Sequence, residues 1–371
     1  MRRLSRSLLL CGAAALALAG CSLTDDLTPG ATPPAEGSTA EESATEGGAP
    51  TPGELVAMTT TTPLGSIVGQ IAQCGGGTAA TIMGIGDDPH SFQPSSEQVA
   101  AMVNAPLVVI SGLGLEESLL SAVAAAEADG AQVLEIGPLI EPLTFDETGG
   151  SDDHDHDGDG HEDHAAEDHA ADEHATDEHA TDEHEDHDHD GDLDPHWWLD
   201  VSRMATAAGI IGDELAEQTG NADFAACGTE IEQELRTLDQ EIEETLAIIP
   251  TENRKLVTDH RAFGYFANRY GFEMVGAVVP SASTDAEASS ADLAELIHTI
   301  EELQIPAIFT NVASPTALAD AVAAEVGFDV QVVSLFTESL GPEGSGAESY
   351  QDMMRSNAEL VAEALSSLNS H

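Results

Sequence analysis

The sequence predicts an α/β protein of two lobes, each a mainly parallel sheet flanked by helices, joined by one long helix. Two observations predict it. Short apolar runs of strand length alternate with amphipathic helical segments, once in the first half of the chain and again in the second. Between the halves, residues 223–248 keep one uninterrupted helical pattern that is stopped by Pro250. A helix of that length would run about 39 Å, the breadth of a domain, and could link the lobes as a rod.

In chain order, residues 54–60 (ELVAMTT) form the first predicted strand and 64–73 (LGSIVGQIAQ) a helix with apolar residues at helical spacing. A strand over 78–83 is followed by a helix over 95–103 that opens on a Ser cap, and by a third strand over 106–110. Residues 116–126 read as helix and 132–136 as strand, and this β-α-β repetition implies a parallel sheet. A helix over 202–218 precedes the long one. The second half repeats the alternation: strand 255–258, helix 262–270, strand 273–279, helix 291–303, strand 307–310, helix 316–326, strand 330–334 and a closing helix over 349–367. Two such lobes leave a cleft, a common place for a ligand.

The start, MRRLSRSLLLCGAAALALAGC, has a basic head, a short apolar run and a small-residue exit, so residues 1–20 read as a secretory signal. Leu18-Ala19-Gly20-Cys21 resembles the bacterial lipobox, which implies cleavage before Cys21 and lipid on that cysteine. Residues 21–53, rich in Thr, Pro, Gly, Ser and Glu, read as a flexible tether from the membrane surface. The first lobe is then expected over 54–220, the linking helix over 221–250 and the second lobe over 251–371. No later stretch is long and apolar enough for a membrane span.

The formal charge of −59 argues against a nucleic-acid partner and suits a cation-attracting surface or a salt-adapted organism. Much of it sits in residues 151–192, where twenty carboxylates are interleaved with ten of the fifteen histidines and no Lys or Arg. Imidazole suits zinc, copper and nickel, and carboxylate suits harder cations. Within the run His164, His169, His174, His179 and His184 recur every five residues, a step that turns each ring about 140° on a helix, so no face collects them. With Ala as its main apolar residue the run cannot offset its ordering entropy, and a disordered loop is expected. His154, His156, His161, His187 and His189 join those five as weak auxiliary metal binders. An acidic solubilising spacer is the alternative, though a spacer has no need of histidine.

Cys11 leaves with the signal and Cys21 takes lipid, so Cys74 and Cys227 are the candidates for a disulfide, which an oxidising compartment favours over free thiols. Neither lies in a metal-type CxxC.

Five histidines remain outside the acidic run: His90, His196, His260, His298 and His371. His90 lies in Asp88-Pro89-His90 just after a predicted strand, and His196 in Asp194-Pro195-His196-Trp197-Trp198 directly after the acidic run. In both tripeptides Pro fixes the backbone before the imidazole, and the aspartate can orient the ring or accept its second N–H, with turn capping as the alternative. His260 lies where a strand passes into a helix. Three imidazoles on loops of both lobes can converge on one cleft. His298 reads as a helix-surface residue and His371 as a frayed terminus. Trp197 and Trp198 either roof such a site or fill the inter-lobe core.

These segments resemble the zinc/manganese substrate-binding lipoproteins of bacterial ABC importers, of the ZnuA/AdcA type. The resemblance runs from about Glu54 to the end. It rests on DPHSFxP at Asp88 to Pro94, DPHWWLD at Asp194 to Asp200, HxAFxYFxxxYG at His260 to Gly271, and the blocks Leu335 to Gly341 and Tyr350 to Asn357. It implies that His90, His196, His260 and Glu338 bind one metal ion in the cleft between the lobes. Manganese members tend to have a carboxylate where His260 stands, so the zinc type is implied, with Mn²⁺ second; three nitrogens and one carboxylate also suit tetrahedral Zn²⁺. Glu338 is the weakest transfer, a solvated loop acid being its alternative. Ser356 departs from the tyrosine usual before the asparagine, which leaves the site untouched and puts a local packing contact in doubt.

The resemblance further implies capture of extracytoplasmic zinc by a lipid-anchored monomer and delivery to membrane permease and ATPase subunits, without catalysis. A secreted zinc hydrolase competes poorly, since HExxH, GxSxG and an evident general base are missing. A surface metal buffer or adhesin, in which the acidic run is the functional part, is the other reading.

Overall fold

The computed structural model describes residues 53–149 and 193–366. The signal, Cys21, the tether up to residue 52, the acidic run at 151–192 and His371 lie outside the described residues.

In the first lobe β1 (Leu55–Thr59), β2 (Thr78–Thr81), β3 (Val108–Ile110) and β4 (Val133–Glu135) form a parallel sheet in the order β2-β1-β3-β4. Its connections are α1 (Thr62–Cys74), α2 (Ser96–Val103) and α3 (Leu120–Ala128). After α4 (Val201–Thr219) and α5 (Asp223–Leu246), the second lobe repeats the plan. Here β5 (Lys255–Thr258), β6 (Glu273–Ala277), β7 (Ala307–Asn311) and β8 (Gln331–Leu335) form a parallel sheet ordered β6-β5-β7-β8. Its helices are α6 (Gly264–Tyr270), α7 (Ser290–Leu303), α8 (Ala317–Glu325) and α9 (Tyr350–Ser366). In each sheet the winding direction reverses beside the first strand, and the carboxyl ends of strands at such a reversal are where open α/β sheets bind ligands.

Local chemistry sets the element ends. Ser95 with Gln98, and Ser289 with Asp292, close capping boxes on α2 and α7. Pro63 opens α1, and left-handed Gly220 and Gly271 end α4 and α6.

The long helix expected to link the lobes is α5, about 36 Å long. It is more than a linker rod, because its apolar face is buried along its whole length, from Phe224 through Leu235 to Leu246. It packs on α1 and α4 of the first lobe and on α9 of the second. A Cβ added at Gly212 would stand 2.7 Å from Gly228 Cα, so α4 and α5 approach backbone to backbone. A disulfide joins Cys74, at the end of α1, to Cys227 on α5.

One continuous core runs through both lobes, from Val56 and Leu64 by way of Leu238 to Leu256 and Phe309. Each sheet's other face has its own smaller core, around Val108 and Met102 in the first lobe and around Ile308 and Ile300 in the second. Among the described residues no helix is long and apolar enough to cross a membrane.

Candidate metal centre

Four side chains meet between the two sheets. His90 stands in the loop after β2, and His196 just ahead of the short 3-10 turn Trp197–Leu199 that feeds α4. His260 follows β5 and Glu338 follows β8, so both sheets aim their carboxyl ends at one point. One donor atom from each of the four lies within 4.8 Å of the others. Glu338 Oε1 is 3.0 Å from His90 Nε2, 3.0 Å from His260 Nε2 and 3.8 Å from His196 Nε2. The Nε2 atoms of His90 and His196 are 3.4 Å apart. His90 keeps 9% of its surface exposed, whereas His196, His260 and Glu338 keep 2% or less.

Carboxylates behind the rings, Asp194 buried and Asp259 partly exposed, set their direction. Asp194 Oδ1 lies 2.8 Å from His196 Nδ1, and Asp259 Oδ1 lies 2.9 Å from His260 Nδ1. A carboxylate can only accept, so each Nδ1 carries the proton and each Nε2 turns to the centre. Asn311, at the carboxyl end of β7, donates its side-chain Nδ2 to Glu338 Oε2 at 2.8 Å and its backbone N–H to Asp259 Oδ2 at 2.7 Å. His260 Nε2, although close to Glu338, is outside hydrogen-bond geometry and is a buried nitrogen without a hydrogen-bond partner.

The two Asp-Pro-His tripeptides, expected to share one mechanism, share only half of it. Each aspartate accepts the backbone N–H of its histidine, at 2.9 Å for Asp88 and 3.0 Å for Asp194, a side-chain-closed turn. Asp194 goes on to hold the ring, whereas the second oxygen of Asp88 accepts the hydroxyl of Thr284 in the other lobe. The tryptophans also divide. Trp197 is buried in the core with its indole N–H on Ser111 O, while Trp198 lies 5.4 Å from the His196 ring and donates to Thr337 O of the second lobe.

The electrostatics follow from burial and neighbours. Burial pushes His196 down despite its bond to Asp194. Burial alone would raise Glu338, but the imidazoles of His260 and His90 at 3.0 Å, the latter hydrogen-bonded to it, hold it well below the usual carboxylate range. Burial alone would lower His260, yet Asp259 and Glu338 on its two sides push it up to about 10. Asp194, Asp259 and Glu338 thus surround three imidazoles with negative charge, which a divalent cation bridging the four inward donors would offset.

Of the other singled-out residues, His298 is exposed on α7 beside Glu302, and Cys74 and Cys227 are bonded to each other. Two residues of the centre were not singled out from sequence, Asp259 and Asn311. A polar residue closing the apolar run AIFTN at a strand's carboxyl end is the signal that could have found Asn311.

A family model described as ZnuA, the periplasmic component A of a zinc-uptake complex, matches residues 57–364. The chain is 28% identical over 287 residues to the manganese-binding lipoprotein MntA of Halalkalibacterium halodurans, covering 77% of this chain and 80% of the relative. It is 27% identical over 322 residues to the zinc-binding protein TroA of Treponema pallidum, covering 84% and 89%. The solved structure of the periplasmic zinc-binding protein TroA from Treponema pallidum superposes with a TM-score of 0.68 at 26% identity, covering 84% of this chain and 99% of that one.

Proposed function

The chain belongs to the ZnuA family, substrate-binding proteins of metal ABC importers and not enzymes, and on that premise we propose that it captures Zn²⁺ outside the cytoplasmic membrane for delivery to a permease driven by an ATPase. His90, His196, His260 and Glu338 hold the ion in this reading. The observation that carries it is the convergence of their donor atoms within 4.8 Å at the facing carboxyl ends of two sheets.

The choice of zinc rests on the donors, since similar proteins are named for zinc and for manganese. Three imidazole nitrogens and one carboxylate oxygen suit a four-coordinate borderline ion, whereas manganese favours more oxygen. Lipid on Cys21 would hold the lobes, at 54–220 and 251–371, near the membrane as a monomer. Residues 151–192 are inserted between Gly150 and Leu193, three residues ahead of His196, so weakly held ions there would be at high local concentration beside the cleft. The segment then acts as a collector and the four donors as the receptor.

Calorimetry on protein lacking 151–192 tests this reading. One tight Zn²⁺ per chain is expected, with affinity collapsing in His90→Ala, His196→Ala and His260→Ala. Unchanged binding in any two of these would remove the site, and tight Mn²⁺ with weak Zn²⁺ in competition would reverse the choice of metal.

A further inference from the structure

His90 is the most exposed of the four donors, and its loop borders a cavity of about 350 Å³ against the second lobe. Asp88 and Ser91 line it from the first lobe, and Asp259, His260, Thr284 and Ser314 from the second. The cavity therefore reaches one of the donors directly. At about 30 Å³ per liquid water, an ion with six waters occupies on the order of 180 Å³, so a hydrated divalent cation fits with room to turn. Asp88, Asp259 and Asp285 in its wall give it the sign that draws cations inward.

One hydrogen bond in this wall joins the lobes. Thr284 Oγ1 donates to Asp88 Oδ2 at 2.7 Å, while Asp88 Oδ1 accepts the backbone N–H of His90 at 2.9 Å. A single carboxylate thus ties the backbone of one donor to the opposite lobe. This is the use to which Asp88 is put where Asp194, in the same tripeptide, holds an imidazole.

We propose that this cavity is the route by which the ion reaches and leaves the four donors, and that the Asp88–Thr284 hydrogen bond is the latch across it. The identity of the ion rests on the zinc-capture reading; the route does not. A latch stands in the path in both directions, so its loss speeds loading and release together. A contact that only steadies the loaded state would change release alone.

The test uses the full-length protein and tryptophan fluorescence, with Trp198 beside His196 as reporter. Stopped-flow mixing with Zn²⁺ measures loading, and mixing the loaded protein with EDTA measures release. In Thr284→Val both rates are expected to rise, release by about tenfold for a hydrogen bond to a charged acceptor, with Kd moving less than the release rate. In Ser314→Trp, which narrows the cavity, both rates should fall by a similar factor at unchanged Kd. Faster release with unchanged loading in Thr284→Val, or wild-type rates in Ser314→Trp, would overturn the proposal. Failure of the wild type to bind Zn²⁺ would refute zinc capture alone, because the same rate ratios can be taken with Mn²⁺.

Discussion

Asn311 Nδ2 donates to Glu338 Oε2 at 2.8 Å, which leaves Oε1 as the oxygen within 3.0 Å of both His90 and His260 Nε2. A carboxylate held in this way presents one oxygen and not two, and one-oxygen ligation keeps the donor set at four, the number zinc favours. Asn311→Ala frees Oε2 to join the ion. Zinc affinity should fall about tenfold, as for loss of other ligand-orienting groups, while manganese loses less. Competition calorimetry measures the ratio, and a parallel loss for both metals would show that Asn311 merely holds Glu338 in place.

Asp259 has one oxygen on His260 Nδ1 and the other on the backbone N–H of Asn311, the residue that holds Glu338, so it positions one donor directly and a second through Asn311. Asp259→Asn keeps an acceptor for the ring and removes the charge that makes the imidazole a stronger base. Zinc should bind about 10- to 100-fold more weakly with the circular-dichroism spectrum unchanged. The equivalent change at Asp194 is expected to cost folding as well, since Asp194 is fully buried and a Cβ on Gly264 would already stand 2.6 Å from its Oδ2.

Proton release should accompany metal binding. Without metal, His260 is pushed up to about 10, so near neutral pH its ring is charged and must lose a proton before Nε2 can bind an ion. Zinc affinity should therefore rise with pH across the neutral range. The binding enthalpy should depend on the buffer's ionisation enthalpy with a slope near one proton; a slope of zero would contradict a charged His260. The metal-free protein carries the opposite sign. A histidine raised above its ordinary 6.5 stabilises the fold fully below that value and loses the contribution as pH climbs through about 10. Glu338, held low, contributes above the ordinary carboxylate range and stops contributing in strong acid.

Much of the architecture was legible because it is periodic: the strand and helix patterns lie within a residue or two of most observed ends, and β5 (Lys255–Thr258) matches its predicted span. His90, His196 and His260 stood out because each sits in a local motif. What local sequence could not carry was pairing at long range. Asn311 meets Glu338 because β7 and β8 are neighbours with Asn311 opposite Leu335, a fact of sheet order. Nor could identical tripeptides reveal that Asp194 faces a ring while Asp88 faces Thr284 from the other lobe. The packing of α5 was half legible. Its length was plain from the pattern, but the contact with α9 depends on the chain's return at its far end.

That packing limits how far the lobes can move. A hinge that swung them widely would have to tear the core shared through α5, part α9 from α1 and α5, and expose apolar side chains such as Leu238, Ile242 and Met354. Exposing such side chains costs about 1.5–3 kcal/mol each, and any swing of the lobes would draw that cost from the ion's binding. Motion should instead be confined to the loops around the donors, above all the one that carries Asp88 and His90. Small-angle scattering of metal-free and zinc-loaded protein is therefore expected to give nearly superimposable profiles. A clear compaction on loading would mean that α5 bends or slides, and that the shared core is weaker than its burial indicates.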